Sequence, residues 1–245
     1  MRYSTGLIAA GMLGMASVAN AGDFSATVTA VSDYDFRGIS LSSTNPALQA
    51  SVDFAAENGF YAGAWVSNFD YGSAYDGDIE LDLYGGFAGE TGGGLGWDVG
   101  FVWYTYPDSS SSATKFKVYD YPEIYASIAY KQFKLKQWYT NDWSGSDMDE
   151  FYTEVSGAFE LPAEFTLNLH AGYNWGEVFS SNEYIDYSVG VTRPVGNFTL
   201  GLKITGTDLS KSDLGIPPGQ GFPDEFNPEP RLVLSIATTF PWGAE

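Results

Sequence analysis

The chain has 245 residues, with 31 Asp plus Glu against 11 Lys plus Arg, a formal net charge of −20, and an aromatic complement of 17 Tyr, 17 Phe and 7 Trp. The acidity excludes nucleic acid as a partner, because phosphate binding needs clustered Lys and Arg. The absence of Cys excludes disulfides and thiolate metal sites, and the length suits one domain with no Ser/Pro linker dividing it.

Residues 1–21 stand apart. Arg2 precedes an uncharged, mostly apolar run over 7–18, and Ala19-Asn20-Ala21 is a small-x-small cleavage site before Gly22. This is the pattern of a secretory signal peptide, and the run falls short of the roughly 20 residues of a spanning helix. Cleavage after Ala21 takes one base and no acid, leaving 11 − 1 = 10 Lys plus Arg against 31 acids, a net charge of −21. The expectation is an exported chain without a helical anchor, with residues 22–245 either periplasmic or an outer-membrane β-barrel.

Alternating segments then recur. They are expected as strands over residues 24–36, 48–54, 60–69, 79–87, 95–106, 121–130, 133–140, 151–159, 165–175, 184–191, 198–205 and 231–240. The clearest is 165–175, where Phe165, Leu167, Leu169, Ala171 and Tyr173 share one parity and Thr166, Asn168, His170, Gly172 and Asn174 the other. Successive side chains of a strand point to opposite faces, so this strand lies between an apolar and a wet surface. It reaches the roughly 9 to 11 residues that cross a bilayer at a tilt, whereas ordinary strands run to about five or six. Segment 133–140 fits least well, because it places Gln137 on the apolar face.

The connections alternate too. Those over 57–59, 90–94, 131–132, 161–164 and 194–197 are short. Those over 37–46, 70–77, 107–120, 141–149, 176–183 and 208–230 are longer and polar. Twelve strands with short turns at one end and long loops at the other predict an all-β, transmembrane, antiparallel up-and-down barrel, with turns and termini in the periplasm. Aromatic girdles at the two interfaces account for the Tyr, Phe and Trp content. In the last strand Leu232, Leu234, Ile236, Thr238 and Phe240 share a face, and Phe240 resembles the terminal aromatic read by the barrel-assembly machinery, although here 241–245 follows it.

The run Ser32-Asp33-Tyr34-Asp35-Phe36-Arg37-Gly38-Ile39-Ser40, then Asn45-Pro46-Ala47-Leu48-Gln49, Gly59-Phe60-Tyr61-Ala62-Gly63-Ala64-Trp65-Val66-Ser67-Asn68 and Glu80-Leu81-Asp82-Leu83-Tyr84-Gly85-Gly86 resembles the TorF-type outer-membrane porins of proteobacteria. The resemblance covers essentially the whole mature chain. It implies a Gram-negative outer-membrane barrel with a pore, in contact with lipid and lipopolysaccharide and passing small solutes, with ammonium a candidate through the family's suspected gene neighbourhood.

The candidate pore-lining residues are Asp33, Asp35, Arg37, Glu80, Asp82, Glu123, Glu154, His170, Asp186, Lys203 and Arg231, all on the wet parity. That parity also holds Asp53, Asp98, Lys134 and Lys136, the two lysines expected near the periplasmic end. The apolar parity is nearly free of charge, as a cost of about 2 to 4 kcal/mol for Lys or Arg at the bilayer midplane requires. Twelve strands about 4.8 Å apart and tilted about 40° put the wall at a radius near ~12 Å, of which inward side chains leave about 5 Å or less. Tyr61, Trp65, Tyr84, Tyr104 and Tyr125 are expected to narrow it further.

Other chemistry is weaker. His170 is the only histidine, and outer-membrane phospholipases pair histidine with serine, but no serine shares its strand and it faces the lumen. Residues 85–94 are glycine-rich without the Lys-Ser/Thr of a phosphate loop. Asp142, Asp147, Asp149 and Glu150 do not match an EF-hand spacing and read as a solvated acidic loop. No enzymatic activity, cofactor or metal is expected. The expected function is a passive channel with weak cation preference, since rings of Asp or Glu favour cations. The alternative is a plugged, non-conducting barrel with a structural or surface-binding role; strand number alone permits either.

Overall fold

The computed structural model describes residues 23–112, 114–217 and 220–242; the expected signal peptide over 1–21 lies outside them. Twelve strands form the wall: β1 (Asp23–Val31), β4 (Ala47–Ala55), β5 (Phe60–Asn68), β6 (Ile79–Glu90), β7 (Leu95–Thr105), β8 (Tyr121–Tyr130), β9 (Phe133–Thr140), β10 (Glu150–Leu161), β11 (Phe165–Trp175), β12 (Tyr184–Val195), β13 (Phe198–Thr207) and β14 (Arg231–Phe240). Each pairs antiparallel with its neighbours in sequence order. β1 closes the ring on β14, with Ala26 opposite Phe240 and Val31 opposite Ser235. Closure leaves no wall strand with an unpaired edge, the condition for a sheet in hydrocarbon.

The faces follow the expected parity. Leu83, Val99, Phe101, Ile124, Leu135, Val189, Leu202 and Leu232 point outward and are exposed, while Tyr84, Val102, Tyr104, Tyr121, Tyr125, Trp138 and Tyr152 are buried inside. The core is therefore the lumen, and the outer surface is a continuous apolar band far larger than a water-soluble monomer tolerates. At the end of the short turns Phe24 and Phe54, Phe60 and Phe87, and Phe133 and Phe159 pair in one aromatic girdle. At the other end Tyr139, Phe151 and Trp175 stack side by side.

Gln137 does lie on the outward face, and β9 forms regardless. Its Nε2 donates to the carbonyls of Trp138 (2.8 Å) and Tyr152 (3.1 Å), and its Oε1 accepts from Thr153 Oγ1 (2.6 Å). An amide satisfied within the sheet carries little of the penalty of an unpaired polar group in an apolar surround.

The first strand departs from expectation. It was expected over 24–36, but β1 ends at Val31, and a two-rung hairpin, β2 (Asp35–Phe36) and β3 (Ile39–Ser40), follows inside the barrel. Asp33, Asp35 and Arg37 therefore sit on an inward loop and not on the wet face of a wall strand. The turn is made at Arg37 and Gly38, both with positive φ (48° and 80°). It is held there by charges on distant strands.

The connections segregate as expected: tight turns at one end, and at the other the loops L1 (32–46), L2 (69–78), L3 (106–120), L4 (141–149), L5 (176–183) and L6 (208–230). Unheated protein in detergent should migrate on a gel differently from boiled protein. Protease added to intact cells should cut L6 and spare residues 162–164. Cleavage at the short turns instead would invert the orientation.

Candidate functional site

L1 is shaped by its own polar side chains. Ser42 Oγ receives the Tyr34 N–H (2.8 Å) and donates to Asp33 Oδ1 (3.0 Å), and Ser40 Oγ donates to the same carboxylate (2.5 Å). The Tyr34 ring packs on Trp65 of β5 with centroids 5.5 Å apart, and its hydroxyl donates to Glu80 on β6 (3.1 Å). This seats the loop against the β5 and β6 wall.

The hairpin tip is seated by ion pairs across the lumen. Arg37 donates bidentately to Glu123 on β8 (2.8 and 2.7 Å) and through its other terminal nitrogen to Glu150 on β10 (2.5 Å). Its guanidinium also lies 4.3 Å from the Tyr152 ring centroid and 4.7 Å from that of Phe36. On the opposite side Arg231 of β14 binds Asp33 through Nε and Asp35 through a terminal nitrogen (2.6 Å), and Lys203 of β13 donates to Asp35 (2.7 Å). Arg37, Glu123 and Glu150 are almost wholly buried. Desolvating such charges is tolerable only with this quality of geometry.

The remaining predicted residues lie around the hairpin. His170 Nε2 is 2.8 Å from Asp186 Oδ1 and 2.9 Å from the Tyr152 hydroxyl, and its Nδ1 is 3.4 Å from Glu154. Asp82 is buried with Oδ1 lacking a hydrogen-bond partner. Thus Asp33, Asp35, Arg37, Glu123, Lys203 and Arg231 form the ionic seat of the hairpin, His170, Glu154 and Asp186 form a second group, and Glu80 and Asp82 line the β6 side. Between hairpin and wall a small open space remains, lined among others by Arg37, Tyr104, Trp138, Glu154, His170 and Lys203.

One residue stands elsewhere than the sequence implies. Glu150 was assigned to an acidic loop, yet it opens β10 and binds Arg37; its parity with Tyr152 and Glu154 was the available signal. Lys136, in the half of β9 nearer the short turn, lies among the rings of Tyr125 and Trp138 and is buried. Asp149 remains in L4 and accepts from the Tyr139 hydroxyl (2.9 Å). Among the described residues no cluster of three or more acidic or His side chains is arranged to hold a metal.

Toward the turn end the lumen is narrowed by tyrosines facing glycines. Tyr61 donates to Asp98 (2.6 Å) and meets the Tyr125 hydroxyl, and Tyr84 binds Asp53. A Cβ on Gly100 would stand 2.6 Å from the Tyr125 hydroxyl, so the glycine is what lets that ring lie across the wall. At the loop end L2 and L6 join through Tyr71 and Phe226 (4.8 Å), and Asp76 of L2 accepts from Ser110 of L3. Those Ser110 hydrogen bonds, with Lys115 beside them, hold the half-buried Asp76 carboxyl below its ordinary range.

A family model described as a bacterial protein of unknown function (Gcw_chp) matches residues 15–240. No curated protein matches. Among solved structures the chain is similar to the KdgM porin in complex with disordered oligogalacturonate, at TM-score 0.53 and 8% identity over 89% of this chain and 100% of that one. It is also similar to the NanC porin, at TM-score 0.52 and 10% identity over 89% and 100%. At these identities the likeness is one of fold.

Proposed function

We propose that this chain, which belongs to the Gcw_chp family of bacterial proteins of unknown function, is an outer-membrane diffusion channel for small solutes with weak cation preference, exported with cleavage after Ala21. The observation that carries this reading is a charged, acid-rich lumen inside a closed apolar wall. Asp33, Asp35, Glu80, Asp82, Glu123, Glu150, Glu154 and Asp186 stand against Arg37, Lys203 and Arg231 in and around the hairpin. In a low-dielectric tube an excess of one sign concentrates counter-ions. These three bases are each tied to carboxylates and offset part of the acid excess, which makes the preference weak without reversing it. The resemblance to TorF-type porins adds ammonium as a candidate solute. Phe240, outward at the end of β14, suits recognition by the assembly machinery, and the outer loops suit contact with lipopolysaccharide.

A plugged barrel is the second reading. It is favoured by the hairpin, whose ion pairs span the lumen from β8 and β10 to β13 and β14. Planar-bilayer recording separates the two. Protein taken from outer membranes, with an intact mass that starts at Gly22, should give discrete conductance steps. In a KCl gradient its reversal potential should shift toward the cation limit, and Glu154→Gln with Asp186→Asn should reduce that shift. Absence of steps would leave the plugged reading; anion preference, or an unchanged shift in the double variant, would make these carboxylates paired wall and not filter.

A further inference from the structure

Lys136 is bound unlike any other lumen base near the hairpin. Arg37, Lys203 and Arg231 each hold carboxylates, whereas Lys136, 3% exposed, makes no ion pair among the described residues. Its Nζ lies 3.5 Å from the ring centroid of Tyr125 and 3.7 Å from that of Trp138, two rings whose own centroids are 4.6 Å apart. Its cross-strand carboxylate is turned elsewhere. Glu154 is directly opposite Lys136 in the β9–β10 register, yet its Oε1 accepts the Trp138 indole N–H (2.9 Å). The ammonium is therefore held by ring faces, which attract a cation through the aromatic quadrupole, more strongly once water is excluded.

The location gives this contact a consequence. Trp138 and Glu154 line the free space beside the hairpin, so the cradle lies where the acid-rich outer half of the lumen gives way to the tyrosine-lined half. We propose that Lys136 is the selectivity-determining residue of the lumen: a tethered cation that occupies an aromatic cradle, opposes the carboxylates above it and keeps cation preference weak. Emptied of the lysine, the cradle is a site for a small alkylammonium. This rests on the channel reading.

The test is single-channel recording on the parent, Lys136→Met, Lys136→Arg and Lys136→Ala, with heat-modifiable migration confirming that each is folded. Lys136→Met should raise the potassium-to-chloride permeability ratio several-fold, and Lys136→Arg should keep the parental ratio. Tetramethylammonium should reduce the potassium current of Lys136→Ala at concentrations that leave the parent unaffected. A conducting parent with the same ratio in the Met variant, or equal block of parent and Ala variant, overturns the role of Lys136 alone. A folded parent that passes no current overturns the channel reading and this inference with it.

Discussion

Replacing Arg37 with methionine should release the hairpin from the lumen and raise single-channel conductance in steps clearly larger than the parent's. Arg37 is the one base within ion-pairing distance of Glu123 and Glu150 among the described residues, and all three side chains are almost wholly buried. Removing one partner of a buried ionic group costs about 3 to 5 kcal/mol, because the charges left behind remain desolvated. Here that cost falls on docking of L1, since the wall is held by its own continuous ladder of strand pairing. The carboxylates regain water when the hairpin leaves. Arg37→Lys should restore only part of the closure, because a lysine is a point charge and cannot fork between two acids as a guanidinium does. Unchanged conductance in Arg37→Met would mean that the hairpin stays seated without its ionic lock.

Gly38→Val should produce the same opening by a different cause. Gly38 has φ of 80°, and a Cβ there would stand 2.6 Å from Thr207 Cγ2 and 2.7 Å from both Asp186 Cβ and the Gly206 carbonyl oxygen. Those neighbours belong to β12 and β13, where backbone has little room to yield. Strain of about 1 to 3 kcal/mol for a side chain in this region adds to about 1 to 3 kcal/mol of overlap. No charge is altered. Conductance that rises in both variants, with new protease cleavage within residues 32–46, identifies displacement of the hairpin as the shared event. A rise in Arg37→Met alone would assign the effect to lumen charge.

The wall was legible because its physics is local. Ile79-Leu81-Leu83 on β6 and Phe198-Leu200-Leu202-Ile204 on β13 alternate so regularly that parity assigns their faces, and the loop lengths assign the two ends. The same periodicity concealed the hairpin. Asp33, Tyr34, Asp35 and Phe36 alternate polar and aromatic residues as a wall strand would, and only their partners distinguish the two cases. Those partners lie far along the chain: Arg231 is 198 residues from Asp33, and Glu150 is 113 from Arg37. Pairing across such separations leaves no periodic trace. The contact of Lys136 with Tyr125 and Trp138 was hidden for a related reason, since parity puts a side chain in the lumen without saying which ring it meets. Gln137, conversely, breaks the apolar pattern of its face, and the bonds of its amide to Thr153 and two carbonyls, to which parity is blind, are what accommodate it.

The hairpin is made early and its anchors late. Residues 32–46 precede every strand that binds their charges, and Asp33 and Asp35 find Arg231 only on β14, the strand that also seals the ring against β1. Contacts so distant in sequence make for slow folding, because loop-closure entropy must be met before they form. They also make completion a matter of proofreading. A chain that stops short of β14 loses the seam and the base that holds Asp33 at one stroke, leaving open strand edges and that carboxylate without its ion-pair partner. Only a finished polypeptide can satisfy both, so the barrel carries a check on its own completeness.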